Sequence, residues 1–329
     1  MKTQKVKFST ALYDFDAFLD TEKNLSPKTR RAYSYDLERF ADHWIKRRGA
    51  NPSLHQISSE DIQRYLEHLR MNLNYKSTTL SRTISSIRVF FEFCVMRGFL
   101  ENSPAVHVHN PKSPKKLPIF LVDSELKNLL NTSAETVVAP EVTLADDSDD
   151  LKDVAEITAG RPIPKHHALR DYAILALFSF TGVRLSELIG LDLPDLDFER
   201  KTIRVMGKGS KERMIPLNET VIQALQAWLS MRPQTPGEES VFLNRSNKRF
   251  SARGVEFLVE RYVKRAGITK RKISPHKLRH TFATLLHVNG VDILEIQALL
   301  GHSSILSTQI YTHVSASRLK DAVKKLDGF

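Results

Sequence analysis

The chain has 329 residues, 41% of them hydrophobic, and 49 lysines and arginines against 38 aspartates and glutamates give a formal net charge of +11. That length exceeds one typical domain and predicts two, each with enough apolar material for a core. No run approaches the roughly 20 apolar residues of a bilayer span, and the N-terminus MKTQKVKFST leads into an amphipathic stretch instead of a secretory core, so a membrane or secreted protein is not expected and the cytoplasm is.

The positive charge is unevenly spread. Residues 1–116 carry a net +8 and residues 166–329 a net +9, while 117–130 carry −1 and 131–165 carry −5. Two basic blocks around an acidic insert suit a polyanionic partner.

Taken in chain order, helices are expected first near Phe8 to Lys23 and then after Ser26-Pro27, a start signal with proline at the first helical position. In the second helix Tyr33, Leu37, Phe40 and Trp44 form one apolar face, and Lys28, Arg31, Arg39 and Lys46 form a basic face opposite, with Asp42 among them. A third helix is expected at Ser59 to Met71. In a fourth, Thr78 to Arg97, the residues Leu80, Ile84, Ile87 and Phe91 repeat at helical spacing and Thr78, Arg82, Ser85 and Ser86 lie opposite. The single cysteine, Cys94, sits in the apolar run FFEFCV and is read as a small buried hydrophobe.

Residues 1–108 therefore read as an all-helical domain. The stretch 109–118, HNPKSPKKLP, has the proline-lysine composition of an extended linker, and a second domain is placed at 119–329. There Asp123 starts a short helix, after which residues 131–165 lose periodicity and carry Asp146, Asp147, Asp149 and Asp150, so they are read as an acidic, loop-rich insertion. Helices are expected at Ala168 to Phe180 and Leu185 to Leu191, then a β-hairpin in which TIRVM and KERMIPL flank Gly207-Lys208-Gly209-Ser210. Further helices are expected at Glu219 to Met231, Ala252 to Ala266, Pro275 to Asn289, Ile293 to Leu300 and Ala316 to Leu326. The second domain is thus mixed, mainly α with a small sheet.

Five local elements carry chemistry: TGVRLSEL (181–188), GKGSKER (207–213), SPHKLRHTFAT (274–284), ALLGHSS (298–304) and QIYTHV (309–314). Each alone is a weak signal. Together and in this order they resemble the tyrosine recombinase (phage integrase) family, most closely its short Xer-type members, and the resemblance spans nearly the whole chain. It implies an N-terminal four-helix, SAM-like core-binding domain and a C-terminal catalytic domain that form a C-shaped clamp on double-stranded DNA at a recombination site. It also implies site residues: Arg184, Lys208, His276, Arg279, His302 and the nucleophile Tyr311, which would form a 3′-phosphotyrosine. Glu187 matches an acidic position that orients site groups, though an ordinary helix carboxylate reads almost as well.

The chemistry explains these residue types. Attack of a phenolic oxygen on a phosphodiester builds negative charge on the non-bridging oxygens, and arginine's planar, permanently charged fork meets two of them at once. A tyrosine of pKa about 10 needs a base near neutrality. His276 is the candidate, placed on one helix face with Arg279 by their i to i+3 spacing. The leaving 5′-oxygen needs an acid, for which Lys208 at the hairpin tip is the candidate. Neither metal nor ATP is called for. HKLRH contains an i, i+4 histidine pair, but Lys277 stands where a zinc protease has glutamate, and GKGS does not satisfy the phosphate-loop pattern. His280 is read as a packed helix histidine.

The resemblance further implies a homo- or hetero-tetramer on two sites, a Holliday junction intermediate and a tail, 316–329, that docks on a neighbouring subunit. A nucleoid-associated prokaryotic protein in chromosome-dimer resolution is the leading reading, with a possible regulatory protein partner left unidentified. Alternatives are a mobile-element integrase with the same chemistry, a type IB topoisomerase-like enzyme and a non-catalytic DNA-binding protein of the same fold. DNA contacts are expected from Lys28, Arg31, Arg39, Lys46, Thr78 and Arg82, with base contacts near Arg31 and Arg82.

Overall fold

The computed structural model of the chain describes residues 6–111, 119–138, 143–144, 161–207, 212–270 and 272–301. The chain divides into two compact units, Met1–Lys116 and Leu117–Phe329.

The first unit contains helices α1 (Phe8–Thr21), α2 (Pro27–Arg48), α3 (Ser59–Met71) and α4 (Ser77–Met96). Their ends follow local chemistry. The Ser26 hydroxyl accepts from the Thr29 amide at 3.3 Å ahead of Pro27, and α2 stops at Gly49, whose φ of 76° opens a left-handed cap beside Lys46, Arg47 and Arg48. Those three cations face the negative end of the helix dipole. α3 opens on a capping box, with the Asp61 carboxylate accepting from the Ser58 amide at 3.1 Å.

The core of this unit is aromatic. Phe8 and Phe90 lie 4.7 Å apart between ring centroids, and Phe15 meets Phe90 edge-on at 5.3 Å. Phe40, Phe91 and Phe93 are also fully enclosed. Each such side chain contributes about 1.5–3 kcal/mol through burial, so this cluster rather than helix propensity holds the unit together. Cys94 is buried here, and burial raises its thiol to about 12, which leaves it the inert hydrophobe that the sequence suggests.

The polar side of α4 is partly packed against α2. Ser86 is fully buried and donates to the Thr83 carbonyl at 2.8 Å, and Arg82 binds the buried Asp36 at 2.5 Å and the Ala32 carbonyl at 3.1 Å. Arg82 and Ser86 thus form a polar seam with α2, while Thr78 on the same side is exposed.

In the second unit α6 (Lys165–Thr181) is central, packing against α5 (Asp123–Val138), α8 (Glu219–Met231) and α10 (Pro275–Val288). It is enclosed on nearly every side and therefore shows little amphipathic pattern. Its buried Arg170 and Asp171 bind each other at 2.7 Å, and Arg170 also donates to the Leu243 carbonyl at 2.9 Å. Asp171 accepts as well from Arg261 at 2.6 Å, on α9 (Ala252–Arg265). Charges without water persist only when paired and hydrogen-bonded in this way.

A three-stranded antiparallel sheet runs β3 (Leu196–Asp197), β4 (Thr202–Met206) and β5 (Glu212–Pro216). The expected hairpin is present as β4 and β5, and β3 adds an edge that sequence periodicity did not indicate. Short helices α7 (Leu185–Ile189) and α11 (Ile293–Leu300) complete the unit.

The expected insertion from residue 131 is corrected at its start. α5 continues to Val138 with Thr132, Ser133 and Thr136 buried, and Thr143–Leu144 (β1) pairs with Arg161–Pro162 (β2) in a small antiparallel ladder. The Asp146 to Asp150 cluster and the linker residues 112–118 lie outside the described residues. Among the described residues, no helix is long and apolar enough to cross a membrane.

Candidate active site

The site is assembled at the ends of helices. α6 terminates at Gly182 with φ of 60°, and a Cβ there would stand 2.4 Å from the Phe282 ring and 3.0 Å from Leu300, so only glycine allows α10 and α11 to close on this turn. Two residues later Arg184 occupies the N-cap of α7.

Arg184 and Arg279, far apart in sequence, meet the same backbone corner. Arg184 Nη2 donates to the Gly301 carbonyl at 2.8 Å. Arg279, on α10, donates through Nη1 to the Gly182 carbonyl and through Nη2 to the Leu300 carbonyl, both at 2.5 Å. These carbonyls close the C-terminal ends of α6 and α11, where unsatisfied acceptors and the negative end of the helix dipole attract cations. Arg279 is buried, whereas Arg184 keeps about a third of its side chain exposed.

Glu187 fixes Arg184 from the other side. Its carboxylate accepts from the Arg184 amide at 2.8 Å and from Arg184 Nη1 at 2.6 Å. It also accepts two bonds from Arg213, at 2.5 Å through Nη1 and 2.8 Å through Nη2. Burial would raise this carboxyl, but the Arg213 hydrogen bonds, followed by those of Arg184, outweigh it and hold Glu187 below the ordinary carboxylate range. Arg213 was not singled out from the sequence. The available signal was strand alternation, which places a charged residue on the same inward face as Ile215.

His276 lies one turn before Arg279 on α10, reachable by solvent yet surrounded by protein. That surrounding, with the charges of Lys277 and Arg279, lowers its pKa from the ordinary imidazole value. His280 is buried beside Phe120, ring centroids 6.2 Å apart, and burial lowers its pKa to about 4. It packs as a helix histidine. Among the described residues, no group of three or more His, Cys, Asp or Glu is arranged to hold a metal ion.

Lys208, His302, Tyr311 and the tail 316–329 lie outside the described residues. The corner held by Arg184 and Arg279 ends at Gly301, immediately before His302 in sequence.

In the first unit Lys28, Arg31, Lys46 and Thr78 are exposed. Arg39 is more constrained. It donates to the hydroxyls of Tyr35 and Tyr75 and lies over both rings, 5.7 and 5.3 Å from their centroids. Arg82 is occupied by Asp36, as described above.

Comparison with known proteins agrees with this geometry. The model "Phage integrase family" matches residues 145–318, and "Phage integrase, N-terminal SAM-like domain" matches residues 12–98. Tyrosine recombinase XerC of Pelotomaculum thermopropionicum is 34% identical over 325 residues, covering 95% of this chain and 96% of its own. Tyrosine recombinase XerD of Staphylococcus epidermidis is 34% identical over 316 residues, with coverage of 95% and 96%. Among solved structures, the XerH site-specific recombinase bound to palindromic difH substrate in a post-cleavage complex superposes with a TM-score of 0.72 at 21% identity, covering 99% of this chain and 92% of that one. With both domain models in place and relatives aligned over nearly its full length, the chain belongs to the phage integrase family of tyrosine recombinases and is an enzyme of site-specific recombination that cleaves and rejoins DNA.

Proposed function

We propose that this enzyme performs Xer-type recombination, resolving chromosome dimers at one recombination site, with Tyr311 as nucleophile. The observation that carries the chemistry is the convergence of Arg184 and Arg279 on the Leu300–Gly301 corner. Both guanidiniums are aimed at one small region, and on DNA that region receives the scissile phosphate.

The phenolic oxygen of Tyr311 attacks phosphorus while its proton passes to His276. The bond from phosphorus to the 5′-oxygen breaks, Lys208 protonates that oxygen, and a 3′-phosphotyrosine and a free 5′-hydroxyl result. Arg184, Arg279 and His302 donate to the non-bridging oxygens as charge builds there. The diester energy stays in the phosphotyrosine, so a 5′-hydroxyl from another strand reseals the DNA by the reverse attack without external energy.

The Xer-type role is supported by the relatives named XerC and XerD, matched over nearly the whole chain. In this reading four subunits act on two sites in the cytoplasm, on nucleoid DNA. Two are active in each round through a Holliday junction, and residues 316–329 dock on a neighbour. Lys28 and Lys46, exposed on α2, contact phosphates together with Arg39 and Thr78, and base contacts come from near Arg31 and Arg82.

A nicked suicide substrate tests the chemistry. Wild type should accumulate a covalent adduct and Tyr311→Phe none; an adduct in that variant would reject the nucleophile. Sequencing chromosomal DNA captured by Tyr311→Phe tests the role. One chromosomal site supports dimer resolution, whereas enrichment at the ends of a mobile element overturns it.

A further inference from the structure

We propose that Arg213 is a positioning residue for recombination, holding Arg184 through Glu187 and bracing the Gly301 turn that precedes His302. The inference rests on the reading of Arg184 as a phosphate-gripping group.

Three observations carry it. First, alternation along β5 puts Arg213 on the inner face with Ile215, opposite Val205 of β4, while Glu212 and Met214 point outward. An arginine on that face must find a partner, and Glu187, almost wholly buried, takes both of its terminal nitrogens in a bidentate pair. Second, the same carboxylate binds the amide and the side chain of Arg184. The pose of Arg184 is therefore set by a carboxylate whose other side is clamped by Arg213. Third, the Arg213 side chain lies over Gly301. A Cβ on that glycine would meet Arg213 Cδ at 3.0 Å, Nη1 at 3.1 Å and Nε at 3.2 Å, and the Gly301 carbonyl is the one that Arg184 binds.

Arg213 thus touches both things that hold Arg184. It is the second residue of β5, so one side chain links that strand to the arginine and to Gly301. Without Arg213, Glu187 keeps Arg184 as its only charged hydrogen-bond partner among the described residues and competes with the phosphate for it. The inner-face environment is built for a planar fork, which lysine does not supply.

The test is single-turnover cleavage of a nicked site under saturating protein, with site binding measured separately. Arg213→Lys should cut more slowly by about 10-fold and Arg213→Ala by about 100-fold, a loss typical of misplacement near 1 Å, while the affinity for the site changes less than about 2-fold. Two further readouts distinguish positioning from stability. Guanidinium ion added to Arg213→Ala should restore cleavage. The acid limb of the pH–rate profile should move to higher pH in the variants, because Glu187 loses the bonds that keep it ionised; the charged groups that bind it are Arg184 and Arg213.

Should Arg213→Ala fold poorly, Arg213→Lys and the double variant with Glu187→Gln decide instead. Losses that fail to add show that the pair acts as one device, and additive losses overturn the proposal. Wild-type cleavage in Arg213→Ala, or an unmoved acid limb with no guanidinium rescue, also overturns it. The family chemistry is judged apart from this, by the absence of adduct in Tyr311→Phe.

Discussion

The N-terminal unit buries phenylalanines and leaves its cations near water, whereas the C-terminal unit buries arginines and gives each a fixed set of acceptors. In the first, the partly exposed Arg82 meets Asp36, whose carboxyl is raised because burial outweighs the pull of Arg82. In the second, Arg170 and Asp171 are wholly enclosed, and Arg279 spends its terminal nitrogens on two helix-end carbonyls. The difference suits the roles proposed for the two units. A surface that follows a backbone needs cations free to adjust to many phosphates, while a reaction centre needs donors whose direction is set before the phosphate arrives.

The largest expected effect that sharpens this contrast is at Arg279. Arg279→Met should lower adduct formation by about 10³-fold in the suicide assay. It should also cost about 2–4 kcal/mol in urea unfolding, since the Gly182 and Leu300 carbonyls are left buried without donors. Wild-type cleavage in this variant would break the comparison at its strongest point.

Next comes the enclosed network. Asp171→Asn strands Arg170 and Arg261 without their carboxylate and should destabilise by about 3–5 kcal/mol, whereas Arg82→Met in the first unit should cost about 1–2 kcal/mol because Asp36 takes up a proton instead. Equal losses by urea titration would erase the distinction between the units.

Acid should act on the C-terminal unit through His280. Its folded pKa is lowered to about 4 from 6.5, so the unfolded chain binds the proton first. Stability is therefore complete above 6.5 and falls as pH drops from there towards 4, by up to about 3 kcal/mol. His280→Leu should flatten that part of the stability curve, and an unchanged slope between pH 6.5 and 4 would discount the burial effect.

The smallest effects belong to the exposed cations. Lys28→Ala and Lys46→Ala should each weaken binding alike across DNA sequences and reduce the salt dependence by about one phosphate contact, measured as the slope of log K against log salt. A selective loss on one sequence would move that residue to base reading.

Much of the fold was legible because it is local. The apolar repeats of α2 and α4 and the alternation in TIRVM and KERMIP announce their elements directly. The end of α5 was not legible, because NTSAETVV is poor in helix formers. Its hydroxyls bond back to the preceding turn, Ser133 to the Leu130 carbonyl at 2.8 Å and Thr136 to Thr132 at 2.9 Å, so burial rather than propensity keeps the helix. β3 is two residues long, too short for any period. That Arg82 pairs with Asp36 across α2 and α4 was not legible either, because the partner lies 46 residues away.

By itself the sequence determined the family and the identity of the candidate groups, since motif order and the spacing of His276 from Arg279 are properties of the chain alone. Only the tertiary structure decided what each arginine holds. Arg184 reaches Gly301, Arg279 reaches Gly182 and Leu300, and Arg213 reaches Glu187, all across long stretches of chain. A guanidinium on a long stem can serve many acceptors, and which one it meets depends on where other helices end, a fact that periodicity within any one helix does not encode.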